Sequence, residues 1–60
     1  MKAREGDVIK WSYNGTEYLA EVLAIRDGSY GVHVVYEEIG LHQDWIDDCL
    51  VESVFVKKVV

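Results

Sequence analysis

Long apolar runs are absent from the 60-residue chain, and cysteine is nearly absent as well. Without such a run we expect no transmembrane helix, and the N-terminus lacks the apolar core of a signal peptide. The single cysteine, Cys49, cannot form an intrachain disulfide, which agrees with a reducing, intracellular compartment. The fold therefore has to be held together by its core and its hydrogen bonds.

Basic residues are scarce, with six Lys and Arg against eleven Asp and Glu and a net charge of −5. Proteins that bind RNA or DNA need a Lys- or Arg-rich face for the phosphate backbone. Nucleic acid is therefore a disfavoured partner. An acidic surface favours cationic ligands and slows the approach of anionic ones.

The length allows one domain, and half of the residues are hydrophobic, as expected of a chain that folds. A domain of this size leaves roughly 40% of its unfolded surface exposed after folding. It has room for one small core and a shallow surface site, but hardly for a deep catalytic cleft. We predict a single domain over 1–60, with its core at about 6–56 and a C-terminal tail at 57–60.

Apolar and polar residues alternate with a period of two through most of the sequence, which indicates strands. Asn14-Gly15 and Asp27-Gly28 have the residue types of tight hairpin turns, and 37–40 is expected to form a third turn. We expect five strands, over 7–11, 17–26, 29–37, 43–46 and 51–56. The pattern predicts an all-β fold, a five-stranded SH3-like barrel with one short helical turn, Asp47–Leu50, before the last strand.

Three finer expectations concern individual residues. Gly31, in the middle of the third strand, suggests a bulge or a sharp bend. Trp45 is expected in the core, and Asp47 or Asp48 is expected to cap the short helical turn. The second strand is apolar on both faces, which predicts that both faces are covered.

No catalytic or metal-binding pattern is found in the sequence. The serines and Cys49 have no local signature that connects them to His33 or His42. The acidic residues near His42 match neither a calcium loop nor a zinc site. We therefore expect no enzyme activity, no metal and no cofactor.

The positions of the aromatic residues indicate a candidate binding site. Trp11 and Tyr18 flank the first hairpin turn, and Tyr36 ends the third strand just before Glu37 and Glu38. If these strands are neighbours, the three rings lie toward the same end of the fold. Each aromatic face offers a cation about 0.5–2 kcal/mol, and a nearby carboxylate favours mono- and dimethyl-lysine, which keep an N–H to donate. The alternative is that these rings fill the interior of the barrel.

Three stretches resemble Tudor domains, in particular the first Tudor domain of tandem-Tudor DNA-damage checkpoint adaptors. They are the opening hairpin 8–18, the segment 34–38 and the tight turn 44–50, and the resemblance covers roughly 6–56. It implies an aromatic cage of Trp11, Tyr18 and Tyr36, with Glu38 as the carboxylate that contacts a methylammonium group. Where the family has a fourth aromatic residue this chain has 39–42, and His42 is the candidate for that position.

Two functions from different classes remain open at this point. The first is a methyl-lysine reader, or as second choice a methyl-arginine reader, that binds a basic peptide such as a histone tail in the nucleus. The second is a small structural barrel that docks on a second domain or on another copy of itself through the apolar C-terminal strand, using Val54, Val56 and Val59. No membrane association is expected in either case.

Overall fold

The computed structural model describes residues 2–57, which form two three-stranded antiparallel sheets. The elements in chain order are β1 (Val8–Tyr13), β2 (Thr16–Glu21), β3 (Ala24–Arg26), β4 (Ser29–Tyr36), β5 (Gly40–Asp47), a 3₁₀ turn (Asp48–Leu50) and β6 (Ser53–Phe55). The first sheet has the order β2-β1-β6 and the second the order β3-β4-β5. The predicted all-β class and the short helical turn before the last strand are confirmed.

The hairpin turns follow from local chemistry. Asn14 and Gly15 both have positive φ, 51° and 77°, and connect β1 to β2, while Asp27 and Gly28 do the same between β3 and β4 at 48° and 79°. Turns of this kind match the twist of the strands that they join, and Asn, Asp and Gly tolerate the left-handed backbone they require. Both predicted two-residue turns are confirmed.

The predicted strand 17–26 is divided into β2 and β3 at Val22, where the chain passes from one sheet to the other. The Val22 N–H donates to the Asp7 carbonyl, and the next N–H, of Leu23, donates to the Gly31 carbonyl, each at 2.8 Å. Residues 2–57 consequently form six strands in two separate sheets, and the hydrogen bonding between these strands does not close a barrel. The expectation that both faces of this segment are covered is wrong, because Leu19 and Leu23 are exposed.

The core lies between the two sheets and is built from the inward-facing side chains of each. Ile9, Val22 and Val32 are its fully buried members. The complete cluster is Ala3, Ile9, Trp11, Val22, Tyr30, Val32, Val34, Tyr36 and Ile46. Four of these residues alternate along β4, as expected of a strand with one buried face. The packed region begins before the predicted core, since Ala3 belongs to it.

The predictions for Gly31 and Trp45 are wrong, and one contact explains both. Gly31 pairs in continuous register with Trp45 on the outer face of the second sheet, so it forms no bulge. The Trp45 ring lies where a Gly31 side chain would be, because an added Cβ would be 3.1 Å from two of its atoms. The Arg26 guanidinium stacks on this ring at 4.4 Å. Trp45 is thus half-buried outside the core.

The 3₁₀ turn has no side-chain cap, contrary to the prediction for Asp47 or Asp48. Asp47 instead accepts a hydrogen bond from the Ser29 hydroxyl at 2.6 Å, and Asp48 accepts one from the Tyr30 hydroxyl at 2.5 Å. Both carboxylates therefore connect the turn to β4. The strand bounds also differ from prediction, most of all in the last two strands: β5 begins three residues earlier and β6 is shorter at both ends.

The C-terminal valines lie in different environments. Val54 faces inward opposite Ile9 and packs against the core, whereas Val56 is exposed. Val59 lies outside the described residues. Within residues 2–57 no helix has the length and apolar character needed to cross a bilayer.

Candidate functional site

A cleft of about 310 Å³ opens between the β1–β2 hairpin and the β4–β5 hairpin. The first hairpin contributes Tyr13, Asn14, Thr16 and Tyr18, and the second contributes Tyr36, Glu37, Glu38, Ile39, His42 and Asp44. The tight turns at the two hairpin ends hold these side chains side by side. Residues that are distant in sequence thus line the same cleft, and the turn of each hairpin fixes their positions.

The aromatic rings at this end form one connected cluster. Tyr18 stacks on Trp11 with ring centroids 5.9 Å apart and 28° between the planes. Tyr36 meets Tyr18 edge-on at 4.9 Å and Tyr13 edge-on at 5.7 Å, and the His42 ring is 6.2 Å from Tyr36. The three rings that the aromatic spacing placed at one end of the fold do meet there.

The rings differ in how much of their surface a ligand can reach. Trp11 is only 2% exposed and lies under Tyr18, so it supports the cleft rather than lining it. Tyr36 is 7% exposed and presents its hydroxyl end. Tyr13, which the sequence analysis did not select, is 56% exposed and lines the cleft. Its position one residue before the Asn14-Gly15 turn, on the side chain face shared with Trp11, was the available signal.

Asp44 is a second residue that the sequence analysis did not select. It is half-buried in the cleft, where its Oδ2 accepts a hydrogen bond from the Tyr36 hydroxyl at 2.7 Å. Its Oδ1 accepts another from the Trp45 backbone N–H at 2.8 Å. Both oxygens are therefore held, and the carboxylate has a fixed orientation in the cleft.

The environment of Tyr36 keeps its hydroxyl protonated. Burial of the phenol and the hydrogen bond to the Asp44 carboxylate raise the pKa of Tyr36 to about 12, against the weaker opposing effect of a hydrogen bond from the Trp11 side chain. A phenol with this pKa is a neutral donor at physiological pH. The pair accordingly carries the single negative charge of Asp44.

The cleft is acidic as a whole. Glu37 and Glu38 project from the exposed turn at its rim, and Asp44 lies within it. Of the described residues, none that lines the cleft is Lys or Arg. Aromatic faces next to carboxylates are suited to an organic cation, which gains from both. The structure thus brings Tyr18, Tyr36, Glu38 and His42 together at one cleft and places Trp11 behind it.

The described part of the chain holds no group of three His, Cys, Asp or Glu side chains that could bind a metal ion. Two of the serines are occupied by neighbouring carboxylates, since Ser12 donates to Glu52 and Ser29 to Asp47, each at 2.6 Å. His33 is exposed on the outer face of β4.

Comparison with known protein families, with characterised proteins and with solved structures finds no match to this chain.

Proposed function

We propose that the chain is a binding module with an SH3-like, Tudor-type fold and not an enzyme. Two features of the fold support this assignment. The segment 17–26 turns from one sheet into the other at Val22, as a long strand does when it is shared between the two halves of a small barrel. The 3₁₀ turn precedes the last strand, which pairs back onto β1.

The ligand we propose is a methylated lysine, or as second choice a methylated arginine, on a basic peptide such as a histone tail. The observation that supports it is the acidic cleft with three tyrosine rings, in which Tyr36 contacts both Tyr13 and Tyr18. A methylammonium group is large and weakly hydrated, so it gains from aromatic faces more than a bare ammonium does. A reader of histone tails would act in the nucleus.

Each side chain has a distinct role in this proposal. Tyr13 and Tyr18 provide the accessible aromatic faces, and Trp11 fixes Tyr18 from behind. Asp44 is the oriented carboxylate that accepts the N–H of a mono- or dimethylated lysine, which a trimethylated lysine lacks. Glu38 at the rim attracts the cationic peptide and thereby raises its association rate.

A second candidate function is docking on a protein partner through the C-terminal strand. The exposure of Phe55 and Val56 at the end of this strand favours it. Val54 does not contribute to such a surface, because it packs against the core. Concentration-dependent light scattering of the purified chain separates this candidate from a monomeric reader.

The reader is tested by NMR titration of the ¹⁵N-labelled chain with a short basic peptide whose central lysine is unmodified, mono-, di- or trimethylated. We expect shifts around Tyr13, Tyr18 and Asp44 that are largest for the dimethylated peptide. Tyr13→Ala removes one aromatic face and is expected to weaken binding about 3- to 30-fold. Because Tyr13 is exposed, the fold should persist.

Leu19→Ala is the matched control, since it removes an equally exposed apolar side chain from the outer face of β2, away from the cleft. It should bind the dimethylated peptide as the original chain does. Equal loss of affinity in both variants, or equal affinity for the methylated and unmodified peptides, would refute the proposed methyl-lysine reader.

A further inference from the structure

The four sheet edges of this fold are not protected equally. The edge strands β3 and β6 have three residues each, and β2 carries two glutamates, Glu17 and Glu21. Short strands and charged side chains are the usual means of keeping an edge from pairing with another chain. β5 is eight residues long and pairs with β4 in continuous register, and its two aspartates, Asp44 and Asp47, each accept a hydrogen bond from a β4 side chain. Among the described strands it is the long, open edge.

The direction of the β5 backbone groups follows from one hydrogen bond. The Trp45 N–H donates to the side chain of Asp44 and not to β4, so it points toward the open edge. Residues two apart on a strand direct their backbone groups to the same side. The N–H and C=O groups of Leu41 and Gln43 therefore also face outward at this edge, with uncharged side chains on both residues.

The side chains of β5 divide between two surfaces. His42 and Asp44 line the cleft, whereas Leu41 and Gln43 lie on the outer face. Leu41 is 70% exposed and pairs with Val35, which is 66% exposed. Ile39, also exposed, lines the cleft two residues before Leu41 in the chain. Exposed apolar side chains are thus present both at the rim of the cleft and along the open edge.

We propose that the bound peptide adds to the edge of β5 as an extra strand, with its backbone hydrogen-bonded to Leu41 and Gln43. This inference rests on the proposed function, because the peptide is the one whose methylated lysine enters the cleft. In strand addition the backbone pairing supplies affinity and alternate side chains supply specificity. The domain would then read an extended segment of its ligand, in addition to one side chain.

The pairing determines which residues the peptide must have. A residue opposite His42 or Asp44 directs its side chain to their face, with Cβ atoms about 4.5–5.5 Å apart. That residue is the methylated lysine. Its two neighbours point to the other face, where the exposed Leu41 and Val35 favour apolar side chains. The preferred ligand is a methylated lysine between two apolar residues.

Charge distinguishes this ligand from a second copy of the chain. Two β5 edges in contact would bring together two acidic clefts, each with Glu37, Glu38 and Asp44, on molecules of net charge −5. A basic peptide meets the same surface with the opposite charge. The occupant of this edge is accordingly a cationic extended peptide.

The first test compares two N-methylated forms of a short peptide that has dimethyl-lysine between two valines and arginines beyond them. One form carries backbone N-methyl groups on the two valines. The other form carries these N-methyl groups on the dimethyl-lysine and on the residue two positions further along the peptide. Only one set of amides faces β5, the valine set if the peptide is antiparallel and the other set if it is parallel.

We expect one of these forms to bind about 5- to 100-fold more weakly in isothermal titration and the other to bind as the parent peptide does. Equal affinity of the two forms would overturn strand addition. The compound Nα-acetyl-dimethyl-lysine amide, which has no strand to add, tests the cleft separately. If neither this compound nor any peptide binds, the reader itself is refuted and strand addition with it.

The second test changes the chain. Gln43→Pro removes an outward-facing N–H that β4 does not use, and Gln43→Ala is the control for loss of the side chain. We expect Gln43→Pro to weaken the peptide, but not the small compound, and Gln43→Ala to leave both unchanged. A folded Gln43→Pro variant that binds the peptide normally contradicts the inference. If this variant does not fold, the comparison of N-methylated peptides decides.

Discussion

The hydrogen bond between Tyr36 and Asp44 orients the carboxylate of the cleft, and its strength should be visible in the stability of the fold at high pH. Burial and the Asp44 carboxylate raise the pKa of Tyr36 from 10.0 to about 12. The folded state therefore keeps the phenolic proton where the unfolded chain has lost it. This contribution to the free energy of unfolding is fully present below pH 10 and is lost as the pH rises toward 12.

The size of the effect follows from the shift. Two pKa units correspond to about 3 kcal/mol, and about half of this is lost by pH 11. Water at the cleft reduces both values, so they are upper bounds. Tyr36→Phe keeps the ring and removes the hydroxyl. It should cost about 1–2 kcal/mol at pH 7, because the half-buried Asp44 loses one of its two hydrogen-bond donors.

The assay is urea unfolding of the original chain and of Tyr36→Phe between pH 7 and pH 12. The free-energy difference between the two should shrink above pH 10, since the variant has no phenol to ionise at this position. The pKa of Tyr30 is also raised by burial, but Tyr30 is present in both proteins and cancels in the difference. Tyr13→Phe, at an exposed ring of the same cluster, controls for loss of a phenol. A constant difference from pH 7 to pH 12 would refute the reasoning.

Two further predictions test the fold. Gly31→Ala forces a Cβ to within 3.1 Å of the Trp45 ring and should destabilise the chain by about 1–3 kcal/mol. The Trp fluorescence of the variant should shift to the red. Unchanged stability and emission would show that the Trp45 ring is not held against Gly31. Gly15→Ala places a side chain at φ 77° with no steric contact, so it should cost about 1 kcal/mol from backbone strain alone, measured by urea unfolding, and a stabilised variant would argue against the turn.

The parts of the fold that the sequence predicts are those fixed by short-range chemistry. Asn14-Gly15 and Asp27-Gly28 form turns because few residue pairs accept positive φ at both positions. The 3₁₀ turn Asp48–Leu50 was likewise recognisable. The break between β2 and β3 was not, because it depends on partners far along the chain. The Val22 N–H donates to Asp7, and the Leu23 N–H donates to Gly31. No feature of the local sequence marks the residue at which the partner changes.

The choice between the two faces of a strand was the other source of error. Segment 17–26 is apolar on both faces, so its period of two does not say which face the core takes. The structure buries Val22 and leaves Leu19 exposed. Asp44 was missed for a related reason. Its hydrogen bond with the Tyr36 hydroxyl depends on the register between β4 and β5, which the sequence pattern does not determine.

The site prediction shows how a small core competes with a binding site for the same aromatic residues. Spacing along the strands selected Trp11 correctly as a member of the cluster, but a domain of this size needs its largest ring inside. A cation needs a ring face that it can reach, and Tyr13 at the end of β1 has one. In the proposed reader Trp11 acts on the ligand indirectly, because its stacking at 5.9 Å fixes the plane of Tyr18. In a domain this small, core residues therefore hold the walls of the cleft in place, and the accessible walls come from the strand ends.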